Sequence, residues 1–401
     1  MFSLRADNEK RDKSIRQFGR ENGEMEQTKW GRPTVAAINL EAIRENVRNT
    51  ARMTGPDTGV IAVVKADGYG HGAVRVAEAA LDAGAMMLAV ATPDEAVELR
   101  EAGLKADILL LGASPVPFAR VAAELGIIIT ADSPAWMEKV AGEAPDFGRP
   151  LRVHLKVDTG MGRLGVRSGE DLLRMYRTAR AAKIMVDGVF THFATADEPD
   201  NDVWRKQAAG FREAVALLPE RPRLVHASNS AAAFIHPECK FDAVRLGISM
   251  YGIAPSGFVG ERLPFPLSPA LTLSTELVHV KRIGRGDTVS YGATYQAMGD
   301  EWVGTIPIGY ADGFLRGLGG QDVLIGGRRC PVVGRVCMDQ CMVRLPREMA
   351  PGEPVILLGK QGDEEIRPDE WADRLGTIPY EVVVTLSKRI PRVYLQGCGE
   401  Y

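Results

Sequence analysis

Between Val60 and Ile248 one pattern recurs: a short run of apolar, often β-branched residues, then a stretch with apolar residues at helical spacing. Strand-like runs begin near Val60, Met87, Ile108, Ile127, Val153, Met185, Leu224 and Ala243. Helical stretches fall between them, among them those near Ala73, Pro93, Pro115, Ser133, Glu170 and Val203. A run such as Val60 to Val64 has no polar face, so it suits a strand covered on both sides, as in a parallel sheet. Eight such units predict a (β/α)8 TIM-like barrel. A doubly wound sheet is the competing arrangement, and the lack of a GxGxxG turn after the first strand counts against it. Proline is expected at the first turn of the helices near Pro93, Pro115 and Pro134, where a missing amide proton does no harm.

The rhythm changes after about residue 263. Glu261 to Pro269 is rich in proline, and short β runs with regular turns follow, which predicts a C-terminal mostly-β domain. Two domains also suit 401 residues, since single cores stop growing near about 250 to 300. The expected organisation is a mobile extension at 1–32, a barrel domain at 33–262 that includes a short strand at Thr34 to Leu40, and a β domain at 263–401. The first segment is highly charged and has no apolar h-region, which speaks against a secretory signal. Met25 precedes the expected fold, so residues 1–24 read as an extension from an upstream start.

The net charge of −3 leaves no nucleic-acid footprint. No apolar run approaches the roughly 20 residues of a membrane span. The cysteines Cys239, Cys330, Cys337, Cys341 and Cys398 are odd in number and form no CxxC, which indicates a reduced, cytoplasmic setting without a disulfide scaffold or metal site.

The stretch Ala62-Val63-Val64-Lys65-Ala66-Asp67-Gly68-Tyr69-Gly70-His71-Gly72 puts a lysine at the carboxyl end of a buried strand, where barrels carry their chemistry. Low-dielectric walls there favour a neutral, nucleophilic amine. Taken alone, a lysine more often packs its stem and sends its head to solvent. A second string, His154-Leu155-Lys156-Val157-Asp158-Thr159-Gly160-Met161-Gly162-Arg163-Leu164-Gly165, delivers Lys156 on a strand and Arg163 on a glycine-rich loop. Alone, it reads as a barrel loop with a surface arginine. His192, in Phe190-Thr191-His192-Phe193, reads alone as a structural hydrogen-bonder. Ser230, in His226-Ala227-Ser228-Asn229-Ser230, suits a helix N-cap or a phosphate ligand equally.

Together with Val244-Arg245-Leu246-Gly247-Ile248, Val289-Ser290-Tyr291-Gly292, Gly334-Arg335-Val336-Cys337-Met338-Asp339 and Ile378-Pro379-Tyr380-Glu381, these strings resemble the alanine racemase family of fold-type III pyridoxal-phosphate enzymes. The resemblance covers residues 33 to 395. It implies pyridoxal 5'-phosphate bound through Lys65. Its phosphate would be held by Tyr69, Ser230, the amides of Gly247 and Ile248, and Tyr380, with Asn229 beside the ring. Arg163 would bind the phenolic oxygen and the substrate carboxylate, positioned by a Lys156 that is often carbamylated to N6-carboxylysine. Arg245 would face the pyridine nitrogen. Arginine stays charged and only donates, so the pyridine nitrogen stays neutral and the ring a restrained electron sink, which suits racemisation and not transamination.

The family uses two bases on opposite faces of the substrate. Here these would be Lys65, acting on D-alanine, and Tyr291, acting on L-alanine. A free phenol, with a pKa of about 10, is a poor base at neutral pH, and His192 and Arg245 are expected to assist it. The Met338 amide would bind the substrate carboxylate, Asp339 would fix that loop, and Cys337 reads as a small packed residue. Tyr310 and Tyr380 would form a narrow gate, with Asp197, Arg316 and Arg335 in an outer corridor. In the family, Tyr291, Tyr310 and Met338 serve the other subunit, which implies a homodimer with composite sites. The implied reaction supplies D-alanine for peptidoglycan.

The pyridoxal-phosphate decarboxylases of ornithine, arginine and diaminopimelate share the architecture but place a glutamate at the ring nitrogen, against Arg245 and the Tyr291 string. The one-domain pyridoxal-phosphate homeostasis protein lacks the β domain. A broader-specificity racemase is the nearest alternative, and such enzymes tend to carry a signal peptide.

Overall fold

Eight short runs rich in Val, Ile, Leu and Ala become barrel staves; the first four turn almost no polar side chain to either face, whereas the later ones carry Arg152, His154, Lys156, Asp187, His226 and Arg245. The structure, a computed structural model, describes residues 31–199 and 202–396. The first strand is β1 (Val35–Asn39). The staves are β2 (Gly59–Val63), β3 (Met87–Val90), β4 (Ile108–Leu110), β5 (Ile127–Ala131), β6 (Arg152–Lys156), β7 (Met185–Phe190), β8 (Leu224–His226) and β9 (Ala243–Leu246). Each pairs in parallel with the next, and β9 closes on β2, with Ile61 opposite both Met87 and Arg245. Ile61, Leu88, Leu109, Ile128, Val153 and Val244 are fully buried and fill the staves' two faces.

The helices over the barrel are α1 (Leu40–Thr54), α2 (Ala73–Asp82), α3 (Pro93–Glu101), α4 (Phe118–Leu125), α5 (Pro134–Glu143), α6 (Gly169–Ala181), α7 (Val203–Leu217) and α8 (Ser230–Ile235). Thr92, Ser133 and Ser168 cap the starts of α3, α5 and α6 by accepting amide hydrogens from Glu95, Trp136 and Asp171, each worth about 1 kcal/mol. Pro93 and Pro134 sit at first helical positions as expected. Pro115 does not. Two of the three residues 115–117 are prolines without an N–H, so the 115–117 segment turns and the helical ladder starts only at Phe118.

The chain divides into two units. One runs from Ala42 to Pro269, and the other joins the residues up to Glu41 to those from Ala270 onward. This moves two expected boundaries. The strand near residue 35 does not belong to the barrel. A barrel of eight closed staves has no free edge to pair with, and β1 instead lies antiparallel to β10 (Leu271–Glu276) and parallel to β20 (Arg392–Leu395). Thr34 Oγ1 meets Thr275 Oγ1 at 2.8 Å there. The proline-rich segment stays with the barrel to Pro269, because Ser268 exchanges hydrogen bonds of 2.8 and 2.9 Å with the buried Asn46 of α1.

The second unit is mostly β. Among the described residues a ten-stranded sheet runs in the order β11 (His279–Ile283), β14 (Glu301–Ile306), β17 (Cys341–Leu345), β16 (Arg328–Val333), β15 (Asp322–Ile325), β18 (Pro354–Gln361), β10, β1, β20, with β19 (Glu364–Ile366) on β18. The pair β12 (Thr288–Val289) and β13 (Tyr295–Gln296) stands apart. Two short helices, α9 (Pro368–Leu375) and α10 (Pro379–Val384), follow. The expected mobile segment and the Met25 start fall at residues 1–30, outside the described residues. Arg32 is described, and it grips Asp312 with bonds of 2.8 and 2.6 Å.

Candidate active site

Lys65 opens a turn of unusual handedness. Ala66, Asp67, Gly68 and Tyr69 have φ of 53°, 53°, 59° and 52°, one turn of left-handed helix. For a residue with a Cβ this costs roughly 1–2 kcal/mol, and such strain collects at functional sites. Hydrogen bonds hold it: Ala66 N to Glu95 Oε1 at 2.7 Å, Ala73 N to Asp67 Oδ1 at 3.0 Å, and Gly68 N to Val64 O at 2.9 Å. The turn presents Lys65 half-buried beyond β2. Burial first, and Arg163 second, lower its pKa against the pull of Glu95.

Tyr69 is buried and tilted on Tyr251, with ring centres 4.9 Å apart. Burial raises its pKa, so its hydroxyl stays a donor. A Cβ on Gly247 would lie 2.9 Å from the Tyr69 oxygen and 3.8 Å from Ser230 Oγ, so only backbone fits there. Asn229, not Ser230, caps α8, accepting from Ala232 N at 3.0 Å. Ser230 Oγ instead accepts the Gly247 amide at 2.9 Å, which leaves its own hydrogen to donate. Ile248 is fully buried beside it. Hydroxyls and backbone converging this way suit a phosphate.

Arg245, 3 % exposed, reaches across the barrel. Its Nη2 donates to Ala227 O at 2.6 Å, Thr191 O at 2.9 Å and His192 Nδ1 at 3.1 Å, and Nη1 to His226 Nδ1 at 2.8 Å. Nε meets no acceptor among the described residues. Burial and Arg163 lower its pKa, yet a guanidinium remains charged at neutral pH. Burial, then Arg245 and its neighbours, hold His192 well below the usual histidine range.

Lys156 lies 4.3 Å over the Phe190 ring, and burial followed by Arg245 and Arg163 drives its pKa well down. Arg163 is exposed on the loop that Asp158 ties through the amides of Gly160 and Gly162. Lys65, Lys156, Arg163 and Arg245 thus act on one another at one barrel mouth, a field built for an anionic ligand. Asp197 is tied by its carbonyl to Ser256 Oγ at 2.7 Å.

The β unit gathers its own set. Tyr291 is 70 % exposed. Its turn is strained, with φ of 69° at Ser290 and 47° at Ala293, and the short strand β12 stops two residues before it. Ser290 Oγ donates to Arg335 O at 2.6 Å and contacts Cys337 Sγ at 3.5 Å. A Cβ on Gly309 would meet Cys337 O at 2.3 Å, and Tyr310 N and Ala311 N donate to Cys337 O and Met338 O at 3.0 Å each. The Met338 amide meets no acceptor among the described residues. Asp339 is held by Arg389 at 2.6 Å. Tyr291, Tyr310, Arg335, Cys337 and Met338 are therefore joined by one set of turns. Arg316 is exposed, and Tyr380 stands half-buried on α10.

Residues 38–255 match the family model described as "Alanine racemase, N-terminal domain", and residues 270–394 match "Alanine racemase, C-terminal domain". The chain belongs to the alanine racemase family. It is 49 % identical over 366 residues to the alanine racemase of Geobacillus stearothermophilus, covering 91 % of this chain and 94 % of that one. The crystal structure of alanine racemase from E. faecalis superposes with a TM-score of 0.88 at 46 % identity, over 92 % of this chain and all of that one. A histidine racemase from Leuconostoc mesenteroides has a TM-score of 0.85 at 32 % identity, over 91 % and 98 %. An alanine racemase and a histidine racemase thus share this architecture.

Against this family background, two supports had escaped the sequence reading. Glu95 holds the Lys65 turn, and its signal was the Thr92-x-x-Glu95 capping box. His226 holds Arg245, and its position at a stave end, beside Asn229 and Ser230, was the available clue.

Proposed function

We infer that this chain interconverts L- and D-alanine with pyridoxal 5'-phosphate. The observation that carries the reading is Arg245: a buried guanidinium, held by two imidazoles and two carbonyls, with Nε left unpaired among the described residues. A neutral pyridine nitrogen is the partner such a donor suits.

The residues present fit the cofactor. Tyr69, Ser230 and the backbone at Gly247 and Ile248 offer a phosphate cradle that a Cβ would fill. Tyr380 is assigned to the same phosphate, and Asn229 and His192 to the ring's surroundings. Pyridoxal phosphate, when bound, stabilises the electron pair left on Cα as the α-proton departs. Lys65, its amine made less basic by burial and Arg163, anchors the cofactor and moves the proton on one face. Arg163 and the Met338 amide of a second copy of the chain orient the substrate carboxylate. Tyr291, brought by a second copy of the chain, moves the proton on the opposite face, with neutral His192 as its neighbour. The strong lowering of the Lys156 pKa favours a neutral amine able to take up CO2 as N6-carboxylysine, which turns a crowd of cations into an ion pair around Arg163.

Asp339 fixes the Met338 loop through Arg389, and Cys337 packs beneath it. Tyr310 of a second copy of the chain and Tyr380 narrow the entry, with Asp197, Arg316 and Arg335 assigned to its outer corridor, which favours alanine over larger amino acids. Among the described residues no helix is long and apolar enough to cross a membrane, and the reading places the enzyme in the cytoplasm, supplying D-alanine for peptidoglycan. Borohydride reduction of the purified protein followed by peptide mapping tests it, together with a coupled D-alanine assay. Cofactor fixed on the Lys65 peptide and turnover of alanine well above that of lysine are expected. Cofactor on another peptide, or faster lysine turnover, would overturn it.

A further inference from the structure

Arg245 is one end of a line of side chains that crosses the barrel interior. Its Nη1 lies 2.8 Å from His226 Nδ1. His226 Nε2 lies 3.0 Å from His154 Nδ1, and His154 Nε2 lies 3.4 Å from Asp187 Oδ2. Asp187 also accepts from Arg152 Nη2 at 3.0 Å and from Arg223 Nε and Nη2 at 2.9 and 2.8 Å. Both imidazoles are fully buried and Asp187 is 4 % exposed.

The two ends have no choice of role. A guanidinium only donates and an ionised carboxylate only accepts. Burial opposes the charge on Asp187, but His154, Arg223 and Arg152 outweigh it and hold the carboxyl below the usual range. His226 Nδ1 must therefore be bare, with its hydrogen on Nε2. That hydrogen needs an acceptor, so His154 Nδ1 is bare too, and His154 Nε2–H points at Asp187. Every hydrogen in the line runs the same way. A second proton on His226 would set donor against Arg245, and one on His154 would set donor against His226. The neighbouring strand β7 makes room for this line. A Cβ on Gly188 would lie 2.6 Å from the His154 ring.

We propose that His226, His154 and Asp187 are positioning residues for the racemase reaction, a one-way hydrogen-bonded relay that fixes the plane of Arg245 and backs its charge with a carboxylate at the far end of the barrel. This rests on the reading that Arg245 faces the cofactor ring. Asp187 pairs with Arg152, at the start of β6, and Arg223, just before β8. That is the N-terminal barrel face, where a residue ordinarily affects stability alone. Here it reaches the chemistry through three hydrogen bonds.

Glutamine at 154 can keep the direction of the line, accepting from His226 with its oxygen and donating to Asp187 with its nitrogen. Leucine of similar size cannot. The test combines ¹⁵N-histidine NMR of the holoenzyme with kinetics of His154→Gln and His154→Leu. The wild-type protein should show His154 and His226 neutral, with the hydrogen on Nε2. His154→Leu should lose about tenfold or more in kcat, with KM for alanine within about threefold, and His154→Gln should stay within about threefold of wild type in both. An Nδ1–H form of either ring in the wild type overturns the relay, as does an equal loss in the two variants. If His154→Leu does not fold, the wild-type tautomers and His154→Gln decide, since a tenfold loss in His154→Gln contradicts the proposal. The tautomers are read from the protein's own nitrogens. Failure of the cofactor assignment would show instead as absent cofactor with the tautomers in place.

Discussion

Glu95 Oε1 accepts the amide hydrogen of Ala66, one residue past Lys65, at 2.7 Å, while its other oxygen accepts from Ala91 and Thr92 at 2.7 and 3.1 Å. One carboxylate thus ties the start of α3 to the left-handed turn that carries Lys65. Glu95→Ala removes both acceptor oxygens and the three hydrogen bonds they receive, and is expected to cost about 2–3 kcal/mol and to weaken cofactor retention. Glu95→Gln keeps one oxygen and should lose about half as much. Urea unfolding and cofactor titration measure both, and a Glu95→Ala protein that holds its cofactor as tightly as wild type would show that the turn needs no such tie.

Gly188 gives way to the His154 imidazole. Gly188→Ala is expected to destabilise by about 1–3 kcal/mol, the usual cost of overpacking, and to lower kcat together with stability because the ring it displaces is the one that supports His226. The same substitution at Gly210, which has open space, is a control that should leave kcat unchanged.

Acid should weaken the fold early. His154 and His226 are fully buried, and burial is the main cause that pushes both pKa values down. Unfolded, each takes up a proton near pH ~6.5. Below that pH the unfolded chain binds protons that the folded chain refuses. The stability they contribute is present above about pH 6.5 and is lost as pH falls toward the depressed folded values, by up to about 1.4 kcal/mol per pH unit for each ring. The urea midpoint should fall between pH 7 and pH 5.5, less steeply in His154→Gln. A midpoint flat over that range would mean that both rings take up protons in the fold as readily as in the unfolded chain.

Much of this was legible in the residues. The staves declared themselves because a run such as Ile127-Ile128-Ile129 has no polar face to turn outward, and the strings around Lys65, Arg163 and Arg245 carried the site. The partner of β1 was not legible. Val35 pairs with Ser274, far along the chain, and nothing local encodes that choice. Nor was the strain at Ser290 and Ala293, since neither is the glycine that a positive φ ordinarily demands. Asp187 was hidden for a different reason: a single acid in Met185-Val186-Asp187-Gly188 reads as a flaw in a strand until the arginines that neutralise it come from β6 and the approach to β8.

In the proposed function, two groups, Lys65 and Tyr291, handle protons on opposite faces of the substrate. Tyr291 is 70 % exposed on its own chain, so Tyr291→Phe should fold and bind cofactor as wild type does. The decisive measurement is solvent-deuterium exchange at Cα of each alanine enantiomer by the Tyr291→Phe holoenzyme. Exchange from L-alanine should fall by about 10²-fold or more, while exchange from D-alanine, served by Lys65, stays within about tenfold of wild type. Equal losses for the two enantiomers would contradict the assignment of Lys65 and Tyr291 to opposite faces.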